Sequence, residues 1–187
     1  MLRLGAKKRE QFITPNENIY DTTHSGIILG LHITNSGYYH HVTKRKVLAT
    51  QALNKLYRFQ EMSASIKIHL VKALVFPVLD YPPIPIHAMS DAQLSILQKV
   101  QNKALRFALN QRYPYTLSTV ELHELAKVAP VNVRLHNQAA KIWDKIDDLQ
   151  IPLFTHLFEK RENIVRYQRS FPSSLSALNN PPIPSYH

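Results

Sequence analysis

The 187-residue sequence contains no cysteine. This absence excludes disulfide bonds, cysteine-ligated zinc and catalysis by a thiol. The first residues, MLRLGAKKREQF, lack the apolar segment of a secretory signal peptide, and the sequence has no N-glycosylation sequon. No apolar run approaches the roughly 20 residues that a membrane helix needs. We therefore expect an intracellular protein, in the cytoplasm or the nucleus, with no membrane partner.

Glycine is also scarce, with only four residues, at positions 5, 26, 30 and 37. Beyond Gly37, prolines supply the breaks between segments. Before it, QFIT and GIILGLHIT are rich in β-branched residues and predict short strands. After it, the apolar residues recur with helical spacing. The sequence predicts a mostly α chain: a small β part over residues 1–37, a helical bundle over 38–150 and an irregular, Pro-rich, weakly structured tail over 151–187.

The first two predicted helices cover residues 40–60 and 64–76. Ser63 is placed as the N-cap of the second helix, and Pro77 is expected to interrupt it. The following segment, LDYPPIPIH, contains three prolines and predicts an extended connector.

Capping residues mark the starts of the later helices. Ser90, followed by an aspartate, opens a third helix. Its predicted apolar face consists of Leu94, Leu97, Val100, Ala104, Leu105 and Ala108. Ser118 and Glu121 fit a capping box for a short helix as far as Lys127. A proline in the first turn suits a longer helix over residues 130–148. On that last helix the apolar spacing predicts a buried face of Val133, Ala139, Ile142, Trp143 and Ile146.

The sequence is strongly basic, with 23 lysines and arginines against 13 acids, a net charge of +10 and a pI near 9.8. Such a balance is typical of domains that bind nucleic acid. The candidate phosphate-binding side chains lie on two helical stripes: Lys44, Lys55 and Arg58, and then Lys99, Lys103 and Arg106. The second set has i, i+4, i+7 spacing and so shares one helix face. The alternative is a merely solvated face.

Aromatic residues accompany both stripes. Tyr57, Phe59 and Phe107 lie near the cations and have the flat rings on which bases and sugars stack. Several of them also fall on the apolar side of their helices, and this position favours core packing.

No catalytic or metal site is predicted. His123 and Glu124 begin a zinc-protease pattern, but Lys127 stands where the second histidine is required. The adjacent His40 and His41 point to different helix faces, and we expect the histidines at the surface or at helix ends. The adjacent acids at positions 147 and 148 fall at a helix end, away from any hairpin that two-metal chemistry would use. No nucleophilic serine has the required surroundings.

Several segments in this order resemble a known protein family. They are LRLGAKKREQF, IILGLHIT, GYYHHVTKRKVLATQALNKLYRF, SIKIHLVKALVFPVLDY, LQKVQNKALRFAL and ELHELAKVAPVNVRLHNQAAKIW. The series is similar to the end of the palm, the primer grip and the thumb of non-LTR (LINE, jockey-like) retrotransposon reverse transcriptases. Lys7 or Lys8 takes the place of that family's lysine after the catalytic hairpin. Leu29, Gly30 and Leu31 take the place of its primer grip.

The resemblance implies a function for the whole chain. The parent protein of this transposable element would be an RNA-directed DNA polymerase that uses Mg²⁺, and its thumb would hold an RNA/DNA primer–template by backbone contacts. This chain has neither the fingers nor the Tyr-x-Asp-Asp palm segment, so we expect a fragment that has no cofactor, is inactive alone and is completed by the missing palm and fingers. The alternative is a stand-alone helical nucleic-acid-binding or protein-interaction module derived from such an element.

Overall fold

The computed structural model describes residues 11–13, 19–21, 25–28, 31–34, 38–81, 89–148 and 183–186. The chain is mostly helical, with two β-hairpins near its N-terminus, which confirms the predicted fold class. The strands are β1 (Gln11–Ile13), β2 (Ile19–Asp21), β3 (Ser25–Ile28) and β4 (Leu31–Thr34). The helices are α1 (Tyr39–Leu56), α2 (Ala64–Leu74), α3 (Phe76–Asp80), α4 (Asp91–Ala108), α5 (Thr119–Ala126) and α6 (Val131–Asp148).

The segment GIILGLHIT forms two strands. β3 and β4 pair antiparallel, with Ile28 opposite Leu31. The side chain of Leu31 packs against the helical core, and β4 contacts α1. The second hairpin is therefore attached to the helices by an apolar contact.

Helix α4 is the centre of the bundle and contacts α1, α2, α5 and α6. Its predicted apolar face is confirmed, because five of the six side chains are buried and Leu94 packs partly buried against them: Leu97, Val100, Ala104, Leu105 and Ala108. Each fully buried leucine of this kind contributes about 1.5–3 kcal/mol relative to an exposed one. The opposite face of α4 is therefore free to carry charge.

Two predicted helix ends were wrong. The first helix ends at Leu56, because the backbone tightens there into a 3₁₀ turn, Tyr57–Phe59. The second ends at Leu74, and Pro77 does not simply interrupt it but lies in the first turn of α3. Proline is tolerated at that place because the first N–H groups of a helix have no partner within the helix.

The predicted starts of the later helices are confirmed. Ser90 and Ser118 each accept a hydrogen bond from the backbone three residues on, and each forms a complete capping box. Pro130, predicted in the first turn of α6, stands just before that helix and accepts its first backbone hydrogen bond, from Arg134. Ser63 precedes α2 as predicted, but its side chain makes no capping hydrogen bond.

The buried face of α6 differs in part from the prediction. Val131 and Leu135 are buried, while Val133 and Ala139 are only half-buried. The other predicted side chains of that face, Ile142, Trp143 and Ile146, lie outside what the structure describes.

A short piece of the predicted tail lies against the bundle. Asn132 of α6 donates from Nδ2 to the carbonyl of Ile183 at 2.7 Å and accepts from the backbone N–H of Ser185 at 3.3 Å. Asn102 of α4 donates to the carbonyl of Tyr186 at 3.3 Å. Residues 183–186 are thus fixed by their backbone, while the rest of the predicted tail lies outside the described residues.

Candidate nucleic-acid interface

The outward side of α4 carries Lys99, Lys103 and Arg106, and we call these three residues the basic face. Both lysines are exposed and Arg106 is half-buried. From Lys99 to Arg106 the helix rises about 10 Å at 1.5 Å per residue. That length corresponds to roughly three base steps at 3.4 Å each, so the face has the dimensions to follow a nucleic-acid backbone.

Arg106 differs from the two lysines because its guanidinium is held in place. Its Nη1 donates to the carbonyl of Leu117 at 3.3 Å, and the guanidinium carbon lies 3.8 Å from the centre of the Tyr115 ring. Arg106 is therefore a fixed cation that also orders the loop after α4, whereas Lys99 and Lys103 extend into solvent.

The three cations predicted on α1 do not form one patch. Lys44 lies 2.9 Å from Nε2 of His32 on β4. Lys55 and Arg58 are exposed at the other end of the helix, and Arg58 lies over the ring of Phe59. Lys55 lies eleven positions after Lys44 on the helix, a rise of about 16 Å.

Of the three residues in the predicted primer grip, the structure describes one. Leu31 is half-buried and packs against the helical core. Leu29 and Gly30 lie outside the described residues, as do Lys7 and Lys8.

An open cleft of about 600 Å³ lies at the C-terminal end of the basic face, and we call it the α4 cleft. Tyr57 and Phe107 meet there with ring centres 4.9 Å apart, and Tyr113 and Tyr115 meet edge to face at 5.8 Å. The α4 cleft is lined by Tyr57, Gln60, Glu61, Met62, Lys103, Arg106, Phe107, Asn110, Gln111, Arg112, Tyr113 and Tyr115.

The predicted stacking residues divide between core and cleft. Phe107 is buried and Phe59 packs partly buried against the core, as the apolar pattern favoured. Tyr57 is 43% exposed and faces the α4 cleft. The two most exposed rings of the α4 cleft, Tyr113 and Tyr115, were not predicted from the sequence.

A buried lysine supports the side of the α4 cleft. The Nζ of Lys67, on α2, donates to the carbonyl of Gln60 at 3.0 Å and to Oδ1 of Asn110, and it lies 5.6 Å from the Phe107 ring centre. All three partners line the α4 cleft. They are neutral, so the ammonium group adds positive potential there.

Asn110 shapes the end of α4. Its φ is 56°, the left-handed region that asparagine tolerates better than most residues. The N–H of Gln111 donates to the carbonyl of Arg106 at 2.8 Å, and that of Asn110 to Phe107 at 3.3 Å. This is a Schellman ending with asparagine where glycine is usual. It turns the chain so that the following loop lies beside the basic face.

The polar residues of LQKVQNK lie on the buried side of α4, opposite its lysines. Gln98 accepts from the N–H of Val131 at 2.8 Å, and its amide lies 3.0 Å from Nε2 of His123. Gln101 donates to the carbonyl of Ala129 at 2.7 Å. These bonds position the turn between α5 and α6, so the two glutamines have a structural role.

Leu79 and Asp80 begin the segment predicted as an extended connector, but in the structure they end helix α3, and Asp80 is paired with α6. Its carboxylate forms an ion pair with Arg134 of α6 and accepts from Gln138 at 3.2 Å. Burial raises the pKa of Asp80, and the hydrogen-bonded Arg134 partly opposes that rise. The guanidinium also lies 3.9 Å from the Phe76 ring centre. Asp80 therefore joins α3 to α6.

The histidines were expected at the surface or at helix ends, and His136 departs from this because it is buried within α6, whereas His41 and His123 lie in terminal turns of α1 and α5. His41, His123 and His136 are buried, while His40 is exposed. His40 and His41 thus point to different faces, as predicted. Among the residues that the structure describes, no three His, Asp or Glu side chains gather in an arrangement that could hold a metal ion. The predicted acid pair falls at the end of α6, where Asp148 is exposed.

No protein-family model, curated protein or solved structure matches this chain. In the described ranges, no helix combines the length and the apolar character needed to cross a membrane. The features of this chain that bear on its function are the basic face, the α4 cleft and the order of its sequence motifs.

Proposed function

We propose that this chain binds nucleic acid through phosphate contacts along the basic face, as the thumb region of a non-LTR retrotransposon reverse transcriptase. The observation that carries the proposal is that Lys99 and Lys103 are exposed one helical turn apart on the helix whose other side is the core. A rigid helix holds their spacing, and neither lysine contacts an acid among the described side chains. Contacts of this kind supply affinity but do not read sequence.

The parent activity is proposed from the motif order alone. The thumb would keep an RNA/DNA primer–template in register while a separate palm performs nucleotidyl transfer. The sequence contains no Tyr-x-Asp-Asp segment. We expect no primer extension by the purified chain with Mg²⁺, and polymerase activity without an added palm would contradict the proposal.

The binding itself is tested by reversing the charge of the two lysines. We expect the Lys99→Glu/Lys103→Glu double variant to bind an RNA–DNA hybrid more weakly. Two lost phosphate contacts lower the slope of log affinity against log salt by about two. Fluorescence anisotropy with a labelled hybrid across a salt series measures both quantities. Arg106 is left intact because it orders the loop.

The matched control is Lys141→Glu/Lys145→Glu. These lysines are also exposed and one turn apart, but on α6. The control changes the net charge equally and should retain most of the affinity and the wild-type salt slope. Equal effects of the two double variants would show that only overall charge matters and would remove the basic face as the site.

A second candidate is a protein-interaction module. It is favoured by Ile66 and Leu74, two turns apart on α2 and each 49% exposed. Apolar binding of a partner would change little with salt, whereas phosphate binding weakens steeply. A salt-insensitive complex, together with no affinity for RNA–DNA hybrid, would favour this candidate over the first.

A further inference from the structure

The α4 cleft has a composition that phosphate contacts alone do not explain. Four aromatic rings, three cationic side chains and three side-chain amides surround it, with Glu61 as the one acid among its described lining residues. A lysine-rich surface would suffice to neutralise a backbone. Flat rings beside cations are instead the combination with which proteins hold unpaired bases next to their phosphates.

The rings differ in how available they are. Tyr57 and Phe107 contact each other, and Tyr115 is covered on one face by the Arg106 guanidinium. Tyr113 is 86% exposed and touches Tyr115 only edge to face, so the faces of its ring are largely open. An aromatic ring this exposed lacks the stabilisation that burial of its apolar surface would provide. A planar ligand stacked on it would recover that burial.

The surrounding groups suit a nucleotide. Lys103 belongs to both the basic face and the α4 cleft, so a strand that runs along α4 reaches the rings without a break. Lys103 and Arg112 are exposed and able to meet its phosphates. The amides of Gln60 and Gln111 can donate to and accept from the edge of a base. The volume of about 600 Å³ lies within the usual range of small-ligand pockets.

We infer that the α4 cleft receives an unpaired base of a single-stranded stretch whose phosphates continue along the basic face, with the base stacked on Tyr113. This inference rests on the proposed function, because the basic face supplies the backbone contacts that bring the base into place. A paired base cannot occupy the α4 cleft, since its faces are covered by its neighbours in the duplex. The ligand is therefore single-stranded RNA or DNA, or the unpaired end of a primer–template.

The test compares two strands with the same number of phosphates, a thymidine dodecamer and an abasic deoxyribose-phosphate dodecamer. We expect the full chain to bind the base-bearing strand about tenfold more tightly, in keeping with the stacking of one base. Tyr113→Ala should abolish that preference, whereas Tyr113→Phe, which keeps the ring, should retain it. Tyr39→Ala serves as the control, because Tyr39 is 59% exposed on the first turn of α1.

Each outcome decides between the claims. Equal affinity for both strands, or a preference that survives Tyr113→Ala, overturns the base site but leaves phosphate binding by the basic face intact. Failure of both strands to bind overturns the base site, and the proposed function falls with it only if the chain also fails to bind the RNA–DNA hybrid. Thermal unfolding of Tyr113→Ala at the wild-type temperature excludes loss of fold as the cause of a lost preference.

Discussion

Lys67 is the largest side chain that is fully buried among the described residues. A lysine is almost never enclosed unless its ammonium group is hydrogen-bonded. Here the group joins the carbonyl of Gln60, after α1, to the side chain of Asn110, after α4. One side chain of α2 thus fixes two chain turns that border the α4 cleft.

We expect Lys67→Met to destabilise the protein by about 1–3 kcal/mol, because two oxygens lose their donor at a partly buried place. Removal of the buried charge offsets part of this cost. Urea denaturation measures the difference. Lys72→Met on the exposed side of the same helix is the control and should stay within about 0.5 kcal/mol of wild type. An unchanged stability of Lys67→Met would show that water replaces the ammonium group at no cost.

His41 is a second buried polar residue whose surroundings determine its charge. The N–H of His32 and the Nε of Arg45 each approach a different ring nitrogen at 3.3 Å. A neutral ring can accept a hydrogen bond at one nitrogen, and a protonated ring can accept none. Burial lowers the pKa of His41 to about 4, with further contributions from Arg45, His32 and Lys44.

At the scale of single elements, the helix starts show which of the predicted capping serines stabilise their helices. Both complete capping boxes, at Ser90 and Ser118, satisfy backbone N–H groups that the helix itself leaves unpaired. Hydrogen bonds from the Ser118 hydroxyl and backbone lower the pKa of Glu121. Ser63 occupies the same position before α2 without such a bond.

This difference gives a matched set of serine variants. We expect Ser90→Ala and Ser118→Ala each to lower the free energy of unfolding by about 1 kcal/mol. Ser63→Ala should change it by no more than about 0.5 kcal/mol, because no capping bond is lost. Chemical denaturation of the three variants checks the order. A loss at Ser63 as large as at Ser90 would mean that the hydroxyl acts there through another contact.

At the scale of the whole molecule, we expect the buried histidines to make the free energy of unfolding depend on pH. The unfolded chain binds a proton at His41 near pH 6.5, and the folded chain does so only near pH 4. Burial also lowers the pKa of His123. Stability should therefore be highest above pH 6.5 and fall as the pH drops towards 4, because protons bind the unfolded state first. The raised pKa of Asp80 acts in the opposite sense, because the folded state then binds the proton first.

The measurement is the urea midpoint between pH 7.5 and 5, a window above the ordinary pKa values of the carboxylates. We expect His41→Gln to flatten the fall, because glutamine does not titrate. His40→Gln should leave the slope unchanged, since His40 is exposed. A wild-type midpoint that stays constant over this window would show that the buried rings are protonated in the folded state.

The basic face depends on the whole fold, because its lysines point outward only when the opposite side of α4 is packed in the core. The sequence was sufficient to place Lys99 and Lys103 outward, since an i, i+4 pair opposite a continuous apolar face has one way to bury that face. The role of Arg106 in ordering the loop could not be predicted from this spacing. Its partners Leu117 and Tyr115 come from a loop whose path depends on the turn at Asn110.

The amino-acid sequence by itself determined the mostly helical class, the starts of α4, α5 and α6, and the core face of α4. These features follow from local rules, since capping and helical periodicity join residues only a few positions apart. Only the tertiary structure decided that Lys67 is buried against Asn110, 43 residues away, and that Asp80 pairs with Arg134, 54 residues away. It also formed the α4 cleft from the end of α1 and the loop after α4. Such contacts depend on how the helices cross, and no spacing along a single segment contains that information.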